Sequence, residues 1–380
     1  MAKDCWSMLI GLVGKPSSGK SSFFKALTMM DVKIASYPFT TIDPNKGVAF
    51  VKAVCPHKEL GRKCDPNNSQ CMDGTRLIPI KIIDVAGLVP GAHEGRGKGN
   101  KFLDDLRQAD ALIHVVDMSG TTDENGLPTD NHDPASDIKW LKEELELWIA
   151  GIIGRVSAKT DASLIVKQLS GFTPREEVLK QCVKDAGNDA KKLAHLILMR
   201  TKPMLIAANK MDLPESKNNL ERASKDVGNK IVPCSAEMEI ALRLASEKKL
   251  ATYNENTREI SISQNASSAQ SAVLNKIKEF INKYGSTGIQ KCIDEAVFSL
   301  LGLIEVYPVE NENSWSDSRG RVLPDVYLVP KGTTAKEFAS IVHTDLAKNF
   351  ITAIDGRTKM RIGEGRPLKK GDVIKIVAGK

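Results

Sequence analysis

The 380-residue chain is 41% hydrophobic and 27% charged, with a formal net charge of +7. That length accommodates two or three domains, each with its own core, and the composition excludes disordered and fibrous classes. No uncharged apolar run approaches the roughly 20 residues that a bilayer crossing needs. The N-terminal residues lack the apolar stretch of a secretory leader, so we expect a cytoplasmic protein without membrane contact.

Met8–Val13 is an apolar run of buried-strand length. It leads into the loop Gly14-Lys15-Pro16-Ser17-Ser18-Gly19-Lys20-Ser21 and then a helical stretch from Ser22. A strand, the pattern G-x-x-x-x-G-K-[ST] and a helix in that order make a phosphate-binding P-loop. The glycines let backbone N–H groups turn onto phosphate oxygens, and the helix N-terminus adds positive potential. Lys20 is expected to neutralise the terminal phosphates, and Ser21 to ligate Mg²⁺.

Gly47–Val51 and Leu77–Ile83 read as an antiparallel strand pair, joined by a polar loop with Cys55, His57, Cys64 and Cys71. These four either hold a tetrahedral Zn²⁺ or are unligated thiols and an imidazole, because their spacing matches no familiar zinc pattern. The other cysteines, Cys5, Cys182, Cys234 and Cys292, read as free thiols of a reducing compartment.

Asp84-Val85-Ala86-Gly87 closes the second strand. Asp84 is expected to support Mg²⁺ through a water, and the Gly87 amide to read the γ-phosphate. A glycine-rich stretch, Gly91–Gly99, follows; a γ-phosphate can order such a segment and hydrolysis release it. His93 in that stretch and His114 in the apolar strand Ala111–Val116 are weak candidates for a catalytic base.

Trp140–Ile149, Arg175–Lys180 and Lys191–Ile197 have helical periodicity, and the Trp and Leu stripe reads as core packing. After the strand Pro203–Ala208 comes Asn209-Lys210-Met211-Asp212. The Asp212 carboxylate can accept hydrogen bonds from guanine N1–H and the N2 amino group, where adenine has no donor. Asn209 is expected to tie loops together and Lys210 to lay its stem over the base. Ser235-Ala236 is expected to supply a backbone N–H to guanine O6. From Arg321 to Lys380 there are 12 Lys/Arg against 6 Asp/Glu, so Arg357, Lys359, Arg361, Arg366, Lys369 and Lys370 form a basic face suited to RNA phosphates.

These motifs, with Pro38-Phe39-Thr40-Thr41 between them, make the chain resemble the Obg superfamily of translation-associated GTPases, in its YchF-like, archaeal-type branch. Its C-terminal module resembles a TGS domain. The resemblance implies an α/β P-loop NTPase fold with a mixed, mainly parallel sheet at 8–117 and 203–305. It also implies a helical insertion at 118–202 and a β-grasp, TGS-like domain at 306–380.

The resemblance makes Thr41, with Thr40 as alternative, the Mg²⁺-ligating switch threonine, and Mg²⁺ the cofactor. Leu88 stands where many GTPases carry a water-orienting glutamine, which implies slow intrinsic hydrolysis. Many YchF proteins carry Glu at the place of Asp212 and take ATP; Asp212 therefore implies GTP. Ser17 replaces the Asn of related potassium-using GTPases. The expected activity is a GTP-hydrolysing switch that contacts the ribosome or RNA. The alternatives are a YchF-like ATPase and an RNA-binding scaffold that retains a nucleotide.

Overall fold

The computed structural model describes residues 8–29, 45–85, 105–154, 162–169, 172, 176–226, 228–255 and 257–379. Cys5, Thr40, Thr41, Ala86, Gly87, Leu88 and His93 lie outside these residues.

The chain opens with β1 (Leu9–Val13) and α1 (Lys20–Thr28), then β2 (Lys46–Val54), α2 (His57–Leu60), β3 (Gln70–Met72) and β4 (Thr75–Asp84). β5 (Ala111–Asp117) precedes four helices: α3 (Pro134–Gly154), α4 (Ala162–Leu169), α5 (Glu176–Ala186) and α6 (Ala190–Thr201). The sheet resumes with β6 (Met204–Asn209), α7 (Ser216–Asp226), β7 (Ile231–Pro233) and α8 (Ala236–Glu247). A small hairpin, β8 (Ala251–Asn254) and β9 (Glu259–Ile262), leads to α9 (Ser268–Tyr284) and α10 (Ile289–Asp294).

The large sheet has the order β2-β4-β1-β5-β6-β7, with β3 paired to β4. β1, β4, β5, β6 and β7 run parallel, and β2 and β3 are antiparallel to β4. β1 and β5 are buried at every position, as expected of parallel strands covered on both faces. The carboxyl ends of β1, β5 and β6 place the P-loop, Asp117 and Asn209 along one edge, where open α/β sheets bind ligands.

The helical arm is not a detached unit. Leu141, Leu145 and Ile149 of α3 share a buried cluster with Leu179, Leu193 and Ile197, and with Leu9, Val13 and Leu112 of the sheet. Trp148 packs on Phe172 with ring centroids 5.5 Å apart, so the Trp and Leu stripe is core.

A second sheet, ordered β11-β10-β14-β12-β13, closes the chain. Its strands are β10 (Leu303–Val309), β11 (Tyr327–Pro330), β12 (Phe350–Asp355), β13 (Arg361–Ile362) and β14 (Asp372–Ala378). The helix α11 (Ala335–Val342) lies between β11 and β12. Thr334 and Glu337 form its capping box, and Phe338 packs into a cluster with Val306, Ala353 and Ile362. β10 pairs with both β11 and β14, so the expected domain line at 306 falls inside this strand. One apolar cluster runs from Ile78 and Ile80 of β4 to Tyr307, Leu323 and Val326, joining the two sheets.

Candidate nucleotide site and its surroundings

The P-loop conformation demands its glycines. A Cβ on Gly14 would sit 2.5 Å from the Val115 carbonyl oxygen, and one on Gly19 would sit 2.4 Å from Asn209 Nδ2. Gly19 also has φ +85°, a region that penalises residues with a Cβ. It caps α1 without a side-chain hydrogen bond, and a helix N-terminus of this kind favours an anion. Pro16, Ser17 and Ser22 line the same loop and helix start; Ser17 is exposed with φ +62°. Ser18 Oγ is buried without a partner among the described residues.

Lys20 Nζ is paired with Asp84 Oδ1, and Ser21 Oγ lies 3.5 Å from Asp84 Oδ2. The hydroxyl and the carboxylate are hard oxygen donors from two elements, a fit for Mg²⁺, which takes one or two protein oxygens and leaves the rest to phosphate and water. Lys15 does something different from its P-loop neighbours. Its side chain turns away from the loop, is 2% exposed, donates to the Thr122 carbonyl at 2.6 Å and sits 2.8 Å from Asp137 Oδ2. The Lys15 ammonium is thus engaged inside the protein. Burial holds the Asp137 carboxyl above its ordinary range, against the pull of Lys15 and His132.

Asn209 joins the two halves of the site. Its Nδ2 donates to the Ser18 carbonyl at 3.0 Å, and its Oδ1 accepts from the Ala236 N–H at 3.1 Å. The Ala236 amide is thereby engaged, and the Ser235 amide donates to the Thr287 carbonyl. Both amides of the Ser235-Ala236 pair thus tie neighbouring loops together in this arrangement. Ser235 Oγ caps α8 by accepting from the Met238 N–H. Lys210, at φ +61°, places Nζ 2.7 Å from Asp117 Oδ2, and Asp212 is exposed on the following turn.

Burial raises the Asp117 carboxyl, but donation from Lys210, Ser119 and Thr122 outweighs it and leaves the group below its usual value. His114 is 1% exposed, with Nδ1 unpartnered among the described residues. Burial, assisted by Lys15, pushes its pKa down to about 3. A neutral imidazole sealed inside the sheet does not reach solvent water as a catalytic base.

Three family models match the chain: a 50S ribosome-binding GTPase over residues 9–149, the G4 motif-containing domain of the YGR210-like Obg-like GTPases over 207–311, and a TGS domain over 320–378. A GTP-binding protein of Methanocaldococcus jannaschii is 48% identical, across 97% of this chain and 99% of its own. This chain belongs to the Obg-like, YchF-related family of GTP-binding proteins. A crystal structure of a GTP-binding protein from Pyrococcus horikoshii OT3 aligns with TM-score 0.77 at 36% identity, covering 98% of this chain and 100% of that one. The ribosome-binding ATPase YchF of Bacillus subtilis is 28% identical across 91% of this chain and 88% of its own.

Two parts of this YchF-related protein differ from the sequence reading. Arg357 is exposed but already carries a carboxylate partner. It forms a bidentate pair with Glu59 at 2.5 and 2.9 Å, donates to the Gly371 carbonyl and lies over the Trp315 ring. Lys359 is turned onto the carbonyls of Glu312 and Gly356, and Lys370 lies over the Phe298 ring. All six basic residues are exposed, and Arg361, Arg366 and Lys369 are the ones not described above as engaged within the protein. The sequence reading also missed Asp117, Thr122 and Asp137, the acceptors for Lys210 and Lys15. The available signal was Asp117 ending an apolar strand, the same signal that singled out Asp84.

Cys55, His57, Cys64 and Cys71 lie at the opposite end of the β2–β4 hairpin from Asp84, with all four ligand atoms within 4.8 Å of one another. Hydrogen bonding to Cys64 and then Cys71 holds the Cys55 thiol far below its ordinary value, and contacts with Cys55 and then Cys64 raise Cys71.

Proposed function

We propose that this protein is a GTP-binding and GTP-hydrolysing switch that acts on a ribosome or another RNA-containing partner. The observation that carries the nucleotide half is Asn209, hydrogen-bonded to both Ser18 of the P-loop and Ala236 of α8. These two hydrogen bonds tie the turn bearing Lys210 and Asp212 to the P-loop and to the start of α8, as a base-selecting element requires.

In this reading the backbone from Gly14 to Ser21 wraps the phosphates. The Lys20 ammonium exchanges its pairing with Asp84 for the charge that develops during phosphoryl transfer. Ser21 and Thr41, with Asp84 through a water, would hold Mg²⁺, which neutralises phosphate charge when bound. Lys210, its ammonium anchored on Asp117, lays its stem along the base. Asp212 accepts from guanine, and the Gly87 amide reads the γ-phosphate. Leu88 supplies no polar group to orient water, so intrinsic turnover is slow and a partner accelerates it.

Asp212 is also what separates this reading from the ATPase reading that the names of the YchF relatives suggest. With ATP the carboxylate would lose its water and gain no donor, a cost of about 1–3 kcal/mol. Titration with fluorescent GTP and ATP should therefore show GTP preferred about 10- to 100-fold, with the preference reduced in Asp212→Glu. Tighter binding of ATP by the wild type overturns the guanine assignment.

The RNA half is supported by the basic C-terminal domain, through the exposed Arg361, Arg366 and Lys369, and by the ribosome-binding names of the relatives. Co-sedimentation with ribosomes should increase with a non-hydrolysable GTP analogue over GDP and fall with added salt. Identical sedimentation with both nucleotides and with none would sink the coupling between switch and partner.

A further inference from the structure

We propose that Cys55, His57, Cys64 and Cys71 bind one structural Zn²⁺ that clamps the TGS domain onto the end of the β2–β4 hairpin. The first argument is geometric. Tetrahedral zinc, with Zn–S of about 2.3 Å and Zn–N of about 2.0–2.1 Å, sets sulfurs about 3.8 Å apart and sulfur to nitrogen about 3.6 Å apart. Cys55 Sγ and Cys64 Sγ are 3.9 Å apart, and His57 Nδ1 lies 3.3 Å from Cys64 Sγ and 3.5 Å from Cys71 Sγ. The sulfurs are far beyond disulfide length, and their spacing is that of ligands around a common centre.

The second argument is charge. Arg76 is fully buried. Among the described residues its hydrogen bonds go to Cys55 Sγ at 4.0 Å and to the carbonyls of Leu323 and Pro324, none to a carboxylate, and its guanidinium lies over the Tyr307 ring at 5.5 Å, which carries no charge. A buried guanidinium without a counter-charge is strongly unfavourable. Three thiolates, a neutral imidazole and Zn²⁺ carry a net charge of −1, which Arg76 balances. Neutral thiols leave it unbalanced.

The third argument is what the segment between the ligands does. From Cys55 to Cys71 the regular structure consists of the four-residue α2 and the start of β3, yet this stretch makes a well-defined docking surface. Asp65 and Asn67 donate backbone N–H groups to the carbonyls of Val322 and Pro324. Asn68 makes a reciprocal pair with the Val326 backbone at 2.9 and 3.0 Å, and Glu59 holds Arg357. A metal that ties three points of this stretch together supplies the rigidity that its secondary structure lacks. The hairpin then links Asp84, at the nucleotide end, with the TGS domain at the metal end, along roughly 27 Å of strand. Neither the metal nor the clamp depends on which nucleotide binds.

The test uses the full-length protein purified without chelator. Elemental analysis should give about one zinc per chain. Exchange into Co²⁺ should give the visible absorption of a tetrahedral site together with thiolate charge transfer, and both should be lost in Cys64→Ser and Cys71→Ser. Because these variants could fold poorly, the second measurement uses wild type. Removing the metal should accelerate hydrogen exchange at the Asp65, Asn67 and Val326 amides about tenfold or more, leave β1 and β5 amides unchanged, and reverse on adding Zn²⁺. Absence of metal in the wild type, with no cobalt spectrum, overturns the site. Metal binding with unchanged exchange at those three amides overturns the clamp.

Discussion

Asp137→Ala should destabilise the GTPase domain by about 3–5 kcal/mol, the usual cost of leaving one member of a buried ion pair alone. Lys15 and Asp137 are 2% and 3% exposed, so the orphaned ammonium has no route to water without moving the P-loop. The Thr122 carbonyl would remain its acceptor, and a neutral dipole does not replace a carboxylate. The double variant Lys15→Met/Asp137→Leu, which removes both charges and retains volume, should recover most of that loss, because apolar replacement of a buried pair is often neutral. Urea unfolding of the wild type and both variants checks this. Equal midpoints for wild type and Asp137→Ala would show that the pair contributes nothing. Since the pair tethers the loop through α3, nucleotide affinity should fall in the single variant as well.

Lys20→Ala should lower the hydrolysis rate on the order of 10²–10³-fold, the range for removing one preorganised group that stabilises transition-state charge. The contact with Asp84 adds a second effect. Lys20 neutralises that carboxylate, so its removal leaves an acid facing the place where phosphates must enter. In titrations without Mg²⁺, Lys20→Ala/Asp84→Asn should therefore bind nucleotide more tightly than Lys20→Ala, while hydrolysis with Mg²⁺ stays low. Single-turnover phosphate release and equilibrium titration separate the two. Wild-type hydrolysis by Lys20→Ala would remove the lysine from the mechanism.

Much of this was legible because local chemistry leaves local marks. The P-loop is a contiguous string with a glycine wherever backbone or a side chain comes too close for a Cβ. The apolar runs that became β1, β4, β5 and β6 were long enough to read individually, and the helical arm announced itself by period. Asn209 was legible in role, since its place after β6 already pointed to a loop-tying function. The basic C-terminal stretch was legible in composition and misleading in detail, because a count of charges does not say that Arg357 is spent on Glu59, 298 residues away in sequence.

The sequence by itself determined the class of fold, the phosphate-binding loop and the family, since each rests on residues adjacent in the chain. Only the tertiary structure decided that the Lys15 ammonium pairs with Asp137 and that the Ala236 amide is held by Asn209. It alone placed three cysteines and a histidine around one centre beside a buried arginine. Those outcomes depend on pairings across tens to hundreds of residues, where burial changes the energy of a charge more than any neighbour in sequence does.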